Sequence, residues 1–170
     1  KNNKFKIDDK FYLGIFNSKV LWFFLKNTGT ELRGGFFRFK TNYLKPFPLP
    51  ETPDSPDMII EKVDLMLLLC KNLQITSNKF IGLLKSDLSI DKLGKKIDKW
   101  YILEWSEFDK ELNKKKIVFS GELKEEWYER FTRLKEEALT LKTEIDKTDR
   151  EINQMVYELY GLTQEEIEIV

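Results

Sequence analysis

The chain has 170 residues, which limits it to one domain or to one small domain with a helical extension. An apolar fraction of 41% and an aromatic fraction of 14% are typical of a folded protein with a sizeable core. Histidine is absent, so the usual general base and the commonest metal ligand are missing. The one cysteine, Cys70, cannot form an internal disulfide, which fits a reducing, cytoplasmic compartment. We expect Cys70 to be a small core residue. The longest apolar run, residues 65–70, is too short to cross a bilayer, and no signal peptide is visible.

The zero net charge of the chain hides a strong asymmetry. Residues 1–50 hold ten Lys and Arg against three Asp and Glu, a net of 10 − 3 = +7. Residues 51–170 hold nineteen against twenty-six, a net of 19 − 26 = −7. A basic end on an acidic remainder predicts a polyanionic partner, nucleic acid first, although a charge imbalance within one fold is the alternative.

The N-terminal part predicts short elements separated by capping residues. Residues 4–7 alternate and predict a short strand. Asp8 or Asp9 is expected to cap a helix that breaks at residues 17–18 and ends at Gly29 in the left-handed conformation. Residues 37–40 alternate aromatic and basic side chains, which predicts a strand with one basic face. Prolines at every second position then force an extended exit: Pro46, Pro48 and Pro50.

Two long heptad patterns dominate the rest of the chain. Residues 122–160 place an almost wholly apolar series at alternating steps of four and three: Trp127, Phe131, Leu134, Ala138, Leu141, Ile145, Thr148, Ile152, Met155 and Leu159. A helix of that length is roughly 60 Å long and needs a partner. Residues 56–84 repeat the rhythm with Ile59, Val63, Met66, Cys70, Leu73, Ser77, Phe80 and Leu84. The two patterns predict an antiparallel helical hairpin.

Further apolar residues of the first long helix lie off its heptad positions: Ile60, Leu65, Leu67, Leu68 and Leu69. They predict a second contact surface, covered by the N-terminal part of the chain. A second copy of the chain or another domain is the alternative.

Residues 86–120 give weaker patterns. Residues 100–103 and 116–119 are each interpreted as short strands, and Ser106 as the cap of a helix over residues 107–114. Gly161 is expected to end the long helix, and Thr163 to start a last turn.

The predicted fold class is mainly α (α+β). It consists of a long antiparallel helical hairpin with a small N-terminal subdomain of helix and strands. We name residues 1–52 the basic head and residues 53–170 the helical arm, with a short irregular insertion at about 86–120.

Three stretches in one order carry a family resemblance. They are Leu-Gly-Ile-Phe-Asn-Ser-Lys at 13–19, Arg-Gly-Gly-Phe-Phe-Arg-Phe at 33–39, and Tyr-Leu followed by Pro-Phe-Pro-Leu-Pro at 43–50. This succession resembles the TaqI-like C-terminal specificity domain of type IIG restriction–modification enzymes and related adenine methylases. The closing residues 144–146, 156–163 and 165–167 resemble the last helix of those enzymes.

The resemblance implies a non-catalytic target-recognition and spacer module; a coiled-coil oligomerisation module that does not contact DNA is the alternative. The basic head would be the C-terminal part of the recognition subdomain, because the likeness usually begins further upstream. The parent chain, which the missing initial Met also suggests is longer, would be a site-specific DNA adenine methyltransferase and in many members a type II restriction endonuclease. S-adenosylmethionine and Mg²⁺ are implied for those catalytic domains, and no cofactor for this chain. The implied partners are double-stranded DNA and the methyltransferase domain of the parent chain, with a homodimer as a further alternative and no membrane.

The candidate DNA contacts lie between the glycine pair and the prolines: Arg33, Arg38, Lys40, Asn42, Tyr43 and Lys45. Arg and Lys neutralise phosphates, Arg and Asn read base edges, and Tyr can stack on a base. The alternative is a solvated strand face. Lys19 and Lys26 are weaker candidates. Asp109 and the Glu122-x-Lys124 pair resemble the spacing of a magnesium nuclease, but an acidic first helical turn accounts for Glu122. We expect no catalytic residue and no metal site.

Overall fold

A computed structural model describes residues 8–37, 40–51, 53, 55–89 and 92–170 of the chain. The fold is mainly α, as predicted, with one small two-stranded sheet. The elements are, in chain order, α1 (Asp9–Phe16), α2 (Lys19–Thr28), β1 (Glu31–Leu32), β2 (Phe36–Phe37), α3 (Thr41–Leu44), α4 (Asp57–Leu88), a 3₁₀ helix (Lys95–Ile102), α5 (Trp105–Asn113), α6 (Glu122–Leu159) and α7 (Gln164–Ile169).

The chain folds into two compact units. Unit 1 joins residues 1–66 to residues 147–170, and unit 2 is residues 67–146. Each unit therefore contains part of α4 and part of α6. The predicted division at residue 52 concerns roles rather than packing, and it stays a prediction.

In unit 1, the two short helices α1 and α2 pack on the first turns of α4 and the last turns of α6. The core is Phe11, Ile15, Leu21, Leu25, Phe47, Ile59, Val63, Ile152 and Val156. Asp8 caps α1 through the backbone N–H of Lys10, and Ser18 caps α2 through that of Leu21. The predicted cap at Asp8 and the break at residues 17–18 are therefore confirmed, because a capping side chain satisfies donors that a continuous helix would leave bonded elsewhere.

In unit 2, α4 and α6 run antiparallel and enclose an aromatic core. The Thr76 hydroxyl donates to Glu137 Oε1 at 2.7 Å, and Asp87 pairs with Arg130 at 2.7 Å, so rising numbers on α4 meet falling numbers on α6. The core is Phe80, Leu84, Ile97, Trp100, Tyr101, Phe108, Leu112, Phe119, Trp127, Phe131, Leu134 and Ala138. In unit 1, Lys62 of α4 pairs with Glu151 of α6 at 2.5 Å. The predicted helical pair is confirmed in each unit.

The heptad pattern misplaced two features of α4. Cys70 was expected in the core and is exposed. The buried positions in unit 2 follow steps of four at Thr76, Phe80 and Leu84, and at about 100° per residue Cys70 lies roughly 80° around the helix from Phe80. The N-terminal part was expected to cover the extra leucines, but it contacts Ile60 only among those partly buried against the unit 1 core, and exposed fractions of 37–54% remain on Leu65, Leu67 and Leu68.

Both predicted strands between α4 and α6 are wrong. Residues 95–102 form a 3₁₀ helix with Ile97, Trp100 and Tyr101 buried, and that spacing of three and four is helical rather than alternating. Residues 117–120 are extended but pair with no strand among the described residues. The predicted helix at 107–114 starts earlier, at Trp105, because the Glu107 carboxylate accepts the backbone N–H of Glu104 at 2.9 Å.

The C-terminal signals are confirmed. Gly161 has φ +63 directly after α6 ends at Leu159, a conformation that favours glycine. Thr163 and Glu166 form a capping box at the start of α7. The predicted strand at residues 4–7 lies outside the described residues.

Candidate nucleic-acid interface

The basic head presents a β-hairpin between α2 and α3. Glu31 pairs with Phe37 and Leu32 with Phe36, which leaves Arg33, Gly34 and Gly35 as the turn. Gly34 and Gly35 have φ of +97 and +79, values that side chains disfavour. The glycine pair therefore builds the tight turn that the sequence predicted, but the strands lie earlier than the predicted strand at 37–40.

The hairpin is held by one face against α2. The Phe37 ring meets Trp22 edge-on with centroids 5.6 Å apart. A Cβ on Gly29 would lie 2.6 Å from the Leu25 carbonyl oxygen and 3.3 Å from the Phe37 ring. Gly29 has φ −84 and ψ 167, so the predicted left-handed conformation is wrong and glycine is required here by close approach instead.

The short helix α3 is joined to the start of the hairpin by hydroxyl groups. Tyr43 and Thr30 share a hydrogen bond of 3.0 Å between their hydroxyl oxygens. Tyr43 is half-buried against the unit 1 core, so its ring supports the surface on which the exposed residues lie.

The structure leaves four of the six predicted contact residues exposed on these neighbouring elements. Arg33 is in the hairpin turn, Lys40 precedes α3, Asn42 lies within it and Lys45 follows it. Arg38 lies outside the described residues. The weaker candidates Lys19 and Lys26 are exposed on α2, with the Lys26 Nζ 5.7 Å from the centroid of the Trp22 ring.

The basic side chains of this region differ from those of the long helices in their partners. Among the described residues, no carboxylate forms an ion pair with the cations of residues 19–45: Lys19, Lys26, Arg33, Lys40 and Lys45. On α4 and α6, by contrast, Lys62, Arg130 and Lys142 each pair with an acidic side chain. The cations of the head are thus available to an external anion.

Polar and aromatic contacts fix the head to the ends of α4 and α6 within unit 1. Asn153 is buried, and its Oδ1 accepts the backbone N–H of Lys19 at 2.8 Å, a donor that the first turn of α2 leaves open. Lys10 pairs with Asp64 at 2.7 Å. The Tyr160 hydroxyl donates to the Pro48 carbonyl at 2.8 Å, which ties the proline-rich exit to the end of α6.

Burial raises the pKa of the Tyr160 hydroxyl to about 12, above its ordinary value near 10. The neutral phenol is therefore favoured in the folded state, and this contribution to stability is complete below about pH 10 and is lost as the pH rises toward 12. We expect Tyr160→Phe to cost about 1 kcal/mol near neutral pH through the lost hydrogen bond. It should also flatten the fall in stability above pH 10.

Urea denaturation at pH 8 and at pH 11 measures both effects. Tyr128→Phe is the control, because Tyr128 is half exposed, at 50%. An alkaline loss in Tyr160→Phe equal to that of the unmodified chain would show that Tyr160 is not its source.

The magnesium-nuclease pattern does not assemble a metal site. The Asp109 carboxylate lies 3.8 Å from Lys124 Nζ, which makes the pair an ion pair between α5 and α6. Across the described ranges, no three His, Cys, Asp or Glu side chains come together to hold a metal ion. Within those ranges, too, no helix is both long and apolar enough to cross a membrane.

Sequence reasoning missed two residues of this region. Phe36 is 68% exposed beside the turn, and consecutive residues of a strand must face opposite sides, so the Phe-Phe pair already required one ring to point outward. Asn153 resembled the other polar residues of α6, and no sequence pattern distinguishes it.

A family model described as Domain of unknown function (DUF8810) matches residues 52–156, more than half of the chain. The chain belongs to the DUF8810 family. The DUF8810 match covers α4, α5 and most of α6, and it leaves out residues 19–45, which carry the exposed cations. No curated protein and no solved structure matches the chain significantly. The resemblance to restriction–modification specificity domains therefore stays a prediction.

Proposed function

We propose that this DUF8810 protein is a non-catalytic DNA-recognition and spacer module of a type IIG-like restriction–modification methyltransferase or endonuclease. The observation that carries the proposal is the group of exposed cations on residues 19–45, which have no ion-pair partner among the described residues. The same stretch holds six Lys and Arg against one Glu. Unneutralised, concentrated positive charge favours a phosphate backbone.

The geometry adds chemistry suited to more than charge attraction. Arg33 lies in a glycine turn that projects from α2, and Asn42 is exposed on α3. Arginine and asparagine side chains can each form two hydrogen bonds with one base edge. The lysines Lys40 and Lys45 flank α3 and would contact phosphates on either side.

The long helices suit the spacer role because they are continuous. α4 has 32 residues and α6 has 38, and they pair in unit 1 and again in unit 2. Within unit 1, the head is held to both helices by the contacts of Asn153 and Lys10. A recognition surface on such a support would be positioned against a catalytic domain of the parent chain.

The remaining parts of the proposal come from the resemblance. The parent would be a DNA adenine methyltransferase that uses S-adenosylmethionine, with a magnesium-dependent nuclease in some members, acting in the cytoplasm. This chain would supply recognition and no catalytic group.

Binding to duplex DNA as a function of salt tests the proposal. We expect the chain to bind a mixed-sequence duplex at low salt, with log affinity falling linearly as log salt rises. The triple variant Arg33→Ala, Lys40→Ala and Lys45→Ala should reduce the slope by about 3, roughly one for each lost phosphate contact.

The matched control is Lys71→Ala, Lys79→Ala and Lys85→Ala, which removes the same charge from exposed positions of α4. Fluorescence anisotropy with labelled duplex measures both variants. Equal losses in the two triple variants would mean that net charge alone is sensed. Absence of binding at low salt by the unmodified chain would overturn the proposal.

One observation favours the alternative of a coiled-coil oligomerisation module. Leu68 and Ile75 are 54% and 55% exposed, and their spacing of seven places them on one face of α4. Sedimentation of the unmodified chain and of Leu68→Lys with Ile75→Lys distinguishes the two functions. A dimer that dissociates in the variant, with no DNA binding by either protein, would support the alternative.

A further inference from the structure

The aromatic ring beside the hairpin turn is exposed for a structural reason. Phe37 and Phe36 follow each other in β2, so their side chains face opposite sides. Phe37 takes the inner side and packs on Trp22. Phe36 takes the outer side, where 68% of its surface is exposed. The fold gives this large apolar side chain little of the burial that it gives the other.

The turn also positions the ring. A Cβ on Gly34 would lie 3.2 Å from Cε2 and 3.4 Å from Cδ2 of Phe36, so the ring lies against the bare backbone of the turn. Both turn glycines have positive φ, which makes the turn tight and narrow. Phe36 is therefore presented at the end of a slender projection, next to Arg33.

The surroundings of the ring indicate what it would contact. An aromatic anchor for a protein partner is typically enclosed by other apolar residues, with charged residues depleted. Around Phe36 the exposed neighbours in the chain are Arg33, Gly34 and Gly35, and the nearby cations have no ion-pair partner among the described residues. An aromatic ring among unneutralised cations is suited to a base flanked by phosphates, because every base offers a π face.

We propose that Phe36 is a stacking wedge, which inserts between bases of the bound duplex while Arg33 contacts the adjacent backbone or base edge. Aromatic and apolar wedges of this kind partly unstack a base step and kink the duplex. The inference rests on the proposed function, since it requires the head to bind DNA. It adds that binding by this chain distorts the duplex.

The test uses duplexes with 2-aminopurine at several positions, because the fluorescence of this base rises when it is unstacked. At saturating protein and low salt we expect a rise for the unmodified chain and for Phe36→Trp. Phe36→Ala should lose most of the rise and bind about ten-fold more weakly, within the range for removal of one stacked base. Its salt slope should be unchanged, because stacking releases no counterions.

Ile169→Ala is the matched control, because Ile169 is an apolar residue of the same unit with 70% exposure. It should leave both the fluorescence and the affinity unchanged. Circular dichroism checks that Phe36→Ala keeps its helical content. Binding with a normal salt slope but no 2-aminopurine response, or an equal loss in Ile169→Ala, would overturn the wedge and leave the proposed function standing. Absence of any DNA binding would overturn both.

Discussion

Replacing Phe80 with alanine is expected to lower the free energy of unfolding by about 4 kcal/mol, within the range measured for truncation of buried aromatic residues. Phe80 is fully buried in unit 2. Its ring stacks on Trp100 with centroids 3.8 Å apart, and it meets three further rings at 5.5–6.1 Å: Phe108, Trp127 and Phe131. Removing it leaves a cavity between side chains from four elements, which cannot all move inward to fill it.

Chemical denaturation followed by near-ultraviolet circular dichroism measures the effect, because Trp100 and Trp127 lie next to the cavity. The control is Ile75→Ala, on the same helix and 55% exposed, which should change stability by less than about 1 kcal/mol. A Phe80→Ala variant as stable as Ile75→Ala would show that the aromatic core is not packed as described.

Replacing Gly14 with leucine is expected to cost about 3 kcal/mol, the upper part of the usual range for overpacking. Gly14 is buried where α1 crosses α4. A Cβ there would lie 3.1 Å from the Cγ2 methyls of both Ile59 and Val63, and leucine adds three more carbons beyond that point. The fully buried residues on either side, Phe11 and Ile15, hold α1 in place, so the helix must shift as a whole to admit them.

The same substitution in α4 provides the control. A Cβ on Gly82 would meet nothing within 4 Å, so Gly82→Leu adds a good helix former in open space and should raise stability by up to about 1 kcal/mol. Hydrogen exchange of residues 9–28, compared with residues 76–84, shows where each variant acts. Faster exchange in the first region for Gly14→Leu, with the second unchanged, is expected. Equal destabilisation by the two variants would contradict the close crossing at Gly14.

The parts of the fold that the sequence predicted share a property: their patterns are long or are marked by capping residues. α6 begins at Glu122, as the heptads predicted, and ends one residue before the predicted Tyr160. Ser18 interrupts an otherwise helical stretch with a cap, and a cap acts within its own turn. Between α4 and α6 the patterns are only a few residues long. There, burial of Trp100 against Phe80 decides the conformation, and that contact depends on residues twenty positions apart.

The candidate site was predictable in composition and less so in geometry. Charge counting located the exposed cations, since Arg33, Lys40 and Lys45 need no partner to lie at the surface. It could not show that the Tyr43 hydroxyl bonds to Thr30, or that an asparagine more than a hundred residues away accepts the first free N–H of α2. Such contacts depend on tertiary packing, for which local residue patterns carry no information.

The division of the chain into a discontinuous unit 1 and a continuous unit 2 has a consequence during synthesis on the ribosome. Unit 2 is complete once residue 146 has emerged, but unit 1 still lacks Ile152 and Val156 of its core. At about 5–20 residues per second, α1 and α2 would wait several seconds for those residues, with their apolar faces exposed. A nascent chain stalled before residue 147 should therefore already protect Phe80 and Phe131 from proteolysis, while Phe11 and Leu25 stay accessible until the last turns of α6 arrive.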